Sequence, residues 1–230
     1  MDHNTLSFSD FIASTIHDLK NALMMQGSAL QALAARCQRQ GDAQTAAELG
    51  ALRFEAQRMN AHLVQLLGIY KFDKDIYPLD IDEHPVRELL QECVLQDQSS
   101  LDFKGITAQI DCPADLRWYL DRDLVTGIVL NALSNAHAHA RGQVRLSAQV
   151  TDAGLEVRIE DNGAGFPQSM LDQLALETRR EMDFTAGHTG LGLFFSQRAA
   201  RLHRNGARVG AIALENGGRL GGGCFVVTLP

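Results

Sequence analysis

The sequence predicts an α+β protein built from an N-terminal antiparallel helical hairpin (residues 1–75) followed by an α/β sandwich domain (residues 80–230). Three observations support this. Apolar residues in the first seventy positions recur at alternating spacings of four and three, as in a heptad repeat. That pattern stops in "KFDKDIYPLDIDEHP", which contains two prolines and several acids and is interpreted as a linker. Beyond it, helical patterns and alternating strand patterns follow one another.

The hairpin is predicted from two apolar seams separated by "RQGDAQ", which has the glycine of a helix end and the aspartate of a new start. The first seam comprises Ile12, Ile16, Leu19, Leu23, Gln26, Leu30, Leu33 and Cys37, and the second comprises Leu49, Leu52, Ala56, Met59, Leu63, Leu66 and Tyr70. Neither helix buries a whole seam against one partner. A homodimer that forms a four-helix bundle is therefore expected.

The second part is predicted to contain three helices and a mostly antiparallel sheet. The helices are "PVRELLQECVLQDQS", Asp121 to about Ala140, and about Leu191 to His203. The strands are "ITAQID", "QVRLSAQV", "LEVRIED", "RVGAIALE" and "CFVVTLP". This order favours a layer of helices on one sheet.

Composition restricts the classes of function. The chain of 230 residues is 45% apolar and has a formal charge of −7, without a block of basic residues. This argues against a nucleic acid or an anionic membrane surface as the main partner. Four scattered cysteines, no signal peptide pattern and no run long enough to span a membrane together predict a cytoplasmic protein without membrane insertion.

Three motifs in the second part carry chemistry. "NALSNA" places Asn131 and Asn135 on one helical face, where carboxamide oxygens suit Mg²⁺, although such pairs also occur on solvated helices. "DNGAGF" puts Asp161 at a strand end as a hydrogen-bond acceptor, although alone it also fits an acidic turn. "TGLGLFF" opens a helix with glycines whose amides can face phosphate, but a lone GxG is weak evidence.

In this order, and with the closing "GGGCFVVTLP", the motifs resemble the ATP-binding domain of sensor histidine kinases, gyrase-type topoisomerases, heat-shock chaperones and mismatch-repair ATPases. The resemblance covers residues 80–230 and implies ATP and Mg²⁺ as cofactors, with a mobile lid over residues 168–189. It implies that Asn135 binds Mg²⁺, Asn131 supports the metal or its water, and Asp161 recognises adenine. It also implies that His139 lies near adenine or ribose, and that the pocket is shaped by Gly163, Gly165, Gly190 and Gly192.

The sequence departs from this family pattern in two places. Many histidine kinases have a basic residue where Ala138 stands, and Arg179, Arg180 or His188 in the lid is a candidate for the missing charge. Cys224 occupies the place assigned to a small hydroxyl residue in the last glycine motif. His137 and His139 point about 200° apart on a helix and are poorly placed to chelate a metal together.

The stretch "HDLKNAL" in the first helix resembles the phosphoacceptor motif of histidine kinases. His17 flanks the predicted seam and is therefore accessible, and a neutral imidazole is a nucleophile near neutral pH. The resemblance implies that His17 accepts the phosphoryl group, that Asp18 orients it or takes its proton, and that Asn21 positions water for dephosphorylating a partner aspartate. Ala22 replaces the usual proline, which favours a straighter helix.

The sequence therefore predicts a histidine kinase without its own sensor domain, which passes phosphoryl groups from His17 to a response regulator receiver domain. Its input would come from a separate sensor protein, from a ligand on this core, or from a longer native N-terminus. Two alternatives remain: a histidine phosphotransferase or regulator phosphatase that uses ATP poorly, and a binding module that sequesters a regulator. The sequence does not determine the handedness of the hairpin. It therefore does not determine whether a subunit would phosphorylate its own histidine or that of its neighbour.

Overall fold

The computed structural model describes residues 8–177 and 190–230, and the chain divides into two compact units at the bond between Tyr77 and Pro78. In these ranges, no helix combines the length and the apolar character needed to cross a membrane. The predicted α+β class, a helical hairpin followed by a mixed sheet with helices, is confirmed.

The first unit is an antiparallel pair of long helices, α1 (Phe8–Arg39) and α2 (Ala43–Asp73). The turn between them uses Gly41 at a φ of +80°, a conformation that glycine adopts without steric cost. The carboxylate of Asp42 then accepts a hydrogen bond from the amide of Thr45 at 3.0 Å and caps the start of α2. The glycine and aspartate of "RQGDAQ" therefore perform the roles expected from the sequence.

The side chain of Ile12 lies outside what the structure describes, and of the other predicted seam positions only alternate ones pack inside the hairpin. The buried or half-buried ones are Ile16, Leu23, Leu30 and Cys37 on α1 and Leu49, Ala56, Leu63 and Tyr70 on α2. The positions between them are exposed: Leu19, Gln26, Leu33, Leu52, Met59 and Leu66. On α1 their place is taken by the half-buried Lys20, Gly27 and Ala34. The hairpin thus leaves five apolar residues of the seam on the surface.

The second unit contains one five-stranded sheet with helices packed on one face. Its elements are β1 (Ile81–Pro85), α3 (Val86–Lys104), β2 (Thr107–Asp111), β3 (Arg117–Asp121), α4 (Arg122–His139), β4 (Gln143–Thr151), β5 (Gly154–Asp161), α5 (Gln168–Glu177), α6 (Gly190–Leu202), β6 (Arg204–Asn205), β7 (Arg208–Val209), β8 (Ala211–Asn216) and β9 (Gly223–Leu229). The sheet order is β2-β4-β5-β9-β8, with β2 and β4 parallel and the other pairs antiparallel.

Strand alternation separates the two faces of this sheet. Val144, Leu146, Val157 and Ile159 are buried on the face that α3, α4 and α6 cover. Residues of opposite parity, such as Arg145, pair with charged partners on the other face. The helical layer and the sheet therefore share one apolar core.

Two predictions about strands need correction. Residues 81–85, expected to be linker, form β1, which pairs antiparallel with β3, a strand that was not predicted. The predicted strand "RVGAIALE" is divided at Gly210, whose amide donates to the carbonyl of His203 at 2.9 Å and whose backbone lies so close to Ala200 on α6 that a Cβ atom would collide with the Ala200 carbonyl. The first difference arises from pairing with a segment far away in sequence, and the second from contact with the end of the preceding helix.

The start of α4 is joined to two other segments through Asp121. Its Oδ1 accepts from the amide of Leu124 at 3.0 Å and caps the helix, while its Oδ2 accepts from the amide of Asp80 at 3.0 Å. The amide of Asp121 donates to Nε2 of His203, and the ring's Nδ1 lies 3.0 Å from the carbonyl of Ala199 on α6. This pairing fixes a neutral tautomer protonated on Nδ1, and burial lowers the pKa of His203.

Candidate functional site

Helix α4 presents its two asparagines differently, one turn apart. Asn131 is buried, and its Nδ2 donates to Oγ of Ser196 on α6 at 3.0 Å. Asn135 is half-buried, and its side chain makes no hydrogen bond to any residue that the structure describes. Of the two predicted metal-site residues, Asn135 therefore has the uncommitted carboxamide, whereas that of Asn131 is held in the contact between α4 and α6.

The glycines at the start of α6 also differ. A Cβ atom on Gly192 would collide with the carboxamide of Asn131, whereas a Cβ atom on Gly190 would have open space around it. Gly192 therefore permits the close approach of α6 to α4, and no such contact accounts for Gly190. In the predicted lid, residues 168–177 form α5, whereas Arg179, Arg180 and His188 lie outside the described residues.

Asp161 ends β5 as a buried carboxylate, with only 5% of its surface exposed. The amide of Gly163 donates to its Oδ1 at 2.7 Å, and no described residue donates to its Oδ2. Glycines surround it, because Cβ atoms on Gly163, Gly222 or Gly223 would each lie within 2.8 Å of a carboxylate oxygen. Oδ2 is therefore available as an acceptor, and it lies beside the backbone of the surrounding glycines.

The glycine-rich connection between β8 and β9 is attached to the end of β5. The amide of Gly222 donates to the carbonyl of Asp161 at 3.1 Å, and the amide of Arg219 donates to the buried carboxylate of Glu160 at 2.8 Å. A Cβ atom on Gly218 would collide with that same carboxylate. The loop therefore needs glycine in order to wrap around Glu160 and Asp161.

Asn216 clamps the "DNGAGF" loop from the end of β8. Its Oδ1 accepts from the amide of Phe166 at 2.7 Å, and its Nδ2 donates to the carbonyl of the same residue at 2.8 Å. Gly165, at a φ of +83°, passes so close that a Cβ atom would lie 2.7 Å from Oδ1 of Asn216. The sequence did not reveal this contact, since the two segments are 50 residues apart.

Cys224 does not lie beside Asp161. It pairs across the strands with Glu160, and its thiol lies among the charges of Arg158, Glu160 and Glu215, while burial raises its pKa to about 11. The neighbour of the Asp161 carboxylate is Gly223, because adjacent strand residues point to opposite faces. Gly223, and not Cys224, is therefore the residue of this motif that lies against the Asp161 carboxylate.

The last turn of α4 carries Ala138 and His139 on the surface and His137 in the interior. The carbonyl of His139 faces Gly163, where a Cβ atom would collide with it. This contact brings the end of α4 to the "DNGAGF" loop. Among the described residues, no group of three His, Cys, Asp or Glu side chains is placed to hold a metal ion.

These residues fit a magnesium nucleotide better than a protein-only metal site. Magnesium is commonly held by one or two protein oxygens together with substrate phosphates, and Asn135 offers one uncommitted carboxamide oxygen. Asp161 offers an acceptor for an amino group, and glycines clear the backbone around it. All the residues predicted for nucleotide binding lie in the second unit.

The predicted phosphotransfer residues lie in the first unit. The backbone of His17 is part of α1, and its side chain lies outside what the structure describes. Asp18 and Asn21 are exposed on the same helix, next to the buried Ile16. His17 and Asn21 are one turn apart, so the helix gives them a common face.

Comparison with known proteins agrees with this architecture. The family model described as "Histidine kinase-, DNA gyrase B-, and HSP90-like ATPase" matches residues 120–230. The adaptive-response sensory kinase SasA of Thermosynechococcus vestitus is 28% identical over 238 residues, which cover 98% of this chain and 60% of SasA. The chain spans less than two thirds of the length of the curated relatives compared.

Two solved structures are similar. The ATP binding domain of PrrB from Mycobacterium tuberculosis is 27% identical with a TM-score of 0.50, and the match covers 66% of this chain and 97% of that domain. The Acinetobacter baumannii histidine kinase AdeS has the same fold, with a TM-score of 0.58 at 18% identity over 90% of this chain and 95% of that one. Residues 120–230 are therefore similar to the histidine kinase-, DNA gyrase B- and HSP90-like ATPases, and the fold of the chain matches that of histidine kinase catalytic cores.

Proposed function

We propose that this chain autophosphorylates His17 from ATP and Mg²⁺ and passes the phosphoryl group to an aspartate of a response regulator receiver domain. Residues 1–75 would serve dimerisation and phosphotransfer, and residues 80–230 would bind ATP. The observation that carries the proposal is the carboxylate of Asp161, which is buried among glycines, with one oxygen bonded to Gly163 and the other without a donor in the described part of the chain.

Adenine recognition follows from this carboxylate. An ionised carboxylate only accepts hydrogen bonds, so its available oxygen suits the amino group of adenine and disfavours a carbonyl at the same place. Gly163, Gly222 and Gly223 let a planar base approach the backbone. His139, exposed where α4 meets this loop, is proposed to lie beside the base or the ribose.

Phosphate binding is assigned to α4 and α6. Asn135 would hold Mg²⁺, with Asn131 supporting it from the contact between the helices. The bound ion would neutralise charge on the phosphate oxygens. Gly190 and Gly192 would bring the amides of the first turn of α6 towards the phosphates, where unpaired helix amides attract anions.

Phosphoryl transfer requires an in-line nucleophile. A ring nitrogen of His17 would form the new bond to the γ-phosphorus, the bond from that phosphorus to the bridging oxygen would break, and ADP would leave with the electron pair. The proton on the other ring nitrogen would pass to Asp18 or to water. Asn21, on the same helical face, is proposed to position water when a regulator is dephosphorylated.

The exposed part of the hairpin seam supports the proposed homodimer. Leu19, Leu33, Leu52, Met59 and Leu66 are each at least 42% exposed. Such a stripe on a helical hairpin is normally covered by another helical surface. A second copy would cover it with its own stripe and complete a four-helix bundle. The use of ATP agrees with the cytoplasmic location expected from the sequence.

One specific feature favours the alternative of a phosphotransferase or regulator phosphatase with weak ATP use. Ala138 lies exposed near the end of α4, where many histidine kinases carry a basic residue. Without that charge, contact with the phosphates would be weaker. Under this alternative the hairpin would exchange phosphoryl groups with a receiver domain while ATP supplied few of them.

Incubation with γ-labelled ATP and Mg²⁺ tests the proposal. We expect acid-labile label on the wild type and on His62→Gln, an exposed hairpin histidine that serves as the matched control. We expect none on His17→Gln or Asn135→Ala. Absence of label with uptake from a phosphorylated receiver domain would support the phosphotransferase. If neither occurs, a module that sequesters a regulator becomes the better account.

A further inference from the structure

The hydroxyl of Ser196 lies completely buried between α4 and α6 and makes two hydrogen bonds. Its Oγ donates to the carbonyl of Gly192, one turn earlier in α6, at 2.8 Å. It also accepts from Nδ2 of Asn131 at 3.0 Å. Ser196 belongs to none of the sequence motifs, and its partner on α4 is 65 residues away.

The chemistry of the groups determines the direction of both bonds. A carbonyl only accepts, so the single hydroxyl proton of Ser196 must go to Gly192. The hydroxyl oxygen is then left only as an acceptor, and the Asn131 atom that faces it must be the amino group. The carboxamide oxygen of Asn131 consequently points the other way, towards the first turn of α6 at Gly192.

We propose that Ser196 is a positioning residue of the nucleotide site that holds the Asn131 carboxamide with its oxygen towards the first turn of α6. The inference rests on the proposed function, in which Asn131 supports Mg²⁺ or its bound water. A carboxamide oxygen accepts hydrogen bonds from metal-bound water and is a ligand type that Mg²⁺ accepts. The amino group, if turned into that place, would repel the cation.

The packing of α4 on α6 does not by itself require this hydroxyl. The helices also contact through apolar groups, including the ring edge of Phe195 against Gly127, and they are joined at the far end through Asp121 and His203. Loss of the hydroxyl would therefore leave the helices together while the carboxamide of Asn131 became able to rotate. Its effect should appear in the dependence of nucleotide binding on Mg²⁺.

The test is calorimetric titration of the full chain with ATP, with Mg²⁺ and with EDTA. We expect Ser196→Ala to weaken ATP binding about five-fold in the presence of Mg²⁺, which is the effect of losing one neutral hydrogen bond. In EDTA the same substitution should change the affinity less than two-fold. Ser100→Ala removes another buried serine of the same unit and should leave both affinities unchanged. Ser196→Cys replaces the hydroxyl with a slightly larger thiol that is a weak donor and a weak acceptor, and it should behave like the alanine variant.

A double-mutant cycle shows whether Ser196 acts through its partner. In an Asn131→Ala background, Ser196→Ala should have no further effect on binding with Mg²⁺, because the carboxamide that it orients is absent. Additive losses in the cycle, or equal losses with Mg²⁺ and EDTA, would overturn the inference while leaving the proposed function intact. A wild-type chain that binds no ATP under either condition would instead overturn the proposed function, and this inference with it.

Discussion

Nε2 of His137, on the last turn of α4, lies 3.2 Å from Oδ2 of Asp97 on α3. The ammonium of Lys104, also on α3, donates to the backbone carbonyl of His137 at 3.3 Å. Burial lowers the pKa of His137 to about 4 and raises the pKa of Asp97 to about 6. At neutral pH the pair is therefore a neutral imidazole beside a carboxylate, attached to the turn that carries Asn135 and His139.

These two groups have opposite effects on stability as the pH falls. The unfolded chain protonates His137 near pH 6.5, but the folded chain does so only near pH 4, so this residue favours unfolding as the pH falls from about 6.5 to about 4. The folded chain protonates Asp97 near pH 6, before the unfolded chain does near 3.8, so this residue favours folding as the pH falls from about 6 to about 4. The two contributions largely offset each other.

Asp97→Asn removes the contribution of Asp97 to the pH dependence of stability and leaves the contribution of His137 without its counterpart. Between pH 6 and 4, the unfolding free energy of this variant should fall relative to wild type by about 1.4 kcal/mol per pH unit. Urea titrations followed by the fluorescence of Trp118, the single tryptophan, report on the second unit. Asp152→Asn, in the exposed turn between β4 and β5, should parallel wild type. A parallel profile for Asp97→Asn would contradict the prediction.

Asp161→Asn should alter the choice of purine. Oδ1 is needed as the acceptor for the Gly163 amide, so the new amino group takes the place of Oδ2 and faces the base as a donor. ATP affinity should fall at least ten-fold, while inosine triphosphate, whose 6-oxo group accepts hydrogen bonds, should lose less. Competition binding measures the ratio of the two affinities. The exposed Asp115→Asn is the control, and an unchanged ratio in Asp161→Asn would refute adenine recognition by this carboxylate.

Replacing Gly192 or Gly190 of α6 by alanine should affect the stability of the protein differently. In Gly192→Ala the new methyl group would collide with the carboxamide of Asn131, which is buried and bonded to Ser196. We expect a loss of about 2 kcal/mol of unfolding free energy and of measurable ATP binding. Gly190→Ala places its methyl group in open space, so its unfolding free energy should equal that of wild type or rise by up to about 1 kcal/mol. Similar unfolding curves for the two variants would contradict the packing described.

Local patterns predicted most of the framework correctly. The spacing of apolar residues located α4 and α6 to within one residue at each end, and the glycine and aspartate at the hairpin turn identified the break between α1 and α2. These signals depend on neighbours along one helix. The strands β4 and β5 were equally visible from the alternating residues in their central parts, and β9 from a short apolar run that is buried almost throughout.

What the sequence missed depends on contacts between distant segments. β1 looks like an acidic linker and becomes a strand only because β3 pairs with it. A heptad seam does not reveal which of its alternate positions pack inside the hairpin, so the exposure of Leu52 and Met59 was not predictable. Ser196 and Asn216 carry no motif of their own, and their roles arise from partners 65 and 50 residues away.

Leu52→Glu should dissociate the proposed dimer without unfolding the hairpin. Leu52 lies on the surface of α2 with 57% of its area exposed, so a charge there costs little in the single chain. In a four-helix bundle the same charge would be buried without a partner. Sedimentation should therefore show a monomer with unchanged helix content. Ala47→Glu, at another exposed position of α2, should sediment as wild type does, and a monomeric wild type would refute the dimer.

Asn216→Ala should weaken nucleotide binding more than it weakens folding. The clamp on Phe166 is solvent-exposed, so the loss of its two hydrogen bonds should lower the unfolding free energy by only about 1 kcal/mol. The loop between Gly163 and Phe166 would nevertheless lose its fixed path beside Asp161. ATP affinity should fall several-fold, and amide exchange in residues 163–166 should accelerate.

Two further variants distinguish the effect of losing the Asn216 clamp from a general effect of deleting a side-chain carboxamide. Asn216→Asp keeps an acceptor for the amide of Phe166 but loses the donor to its carbonyl, so its ATP affinity should lie between those of wild type and Asn216→Ala. Gln149→Ala deletes an exposed amide that bonds to Glu156 away from the site and should leave binding unchanged. Faster exchange in Asn216→Ala with unaltered ATP affinity would show that the "DNGAGF" loop need not be held for the nucleotide to bind.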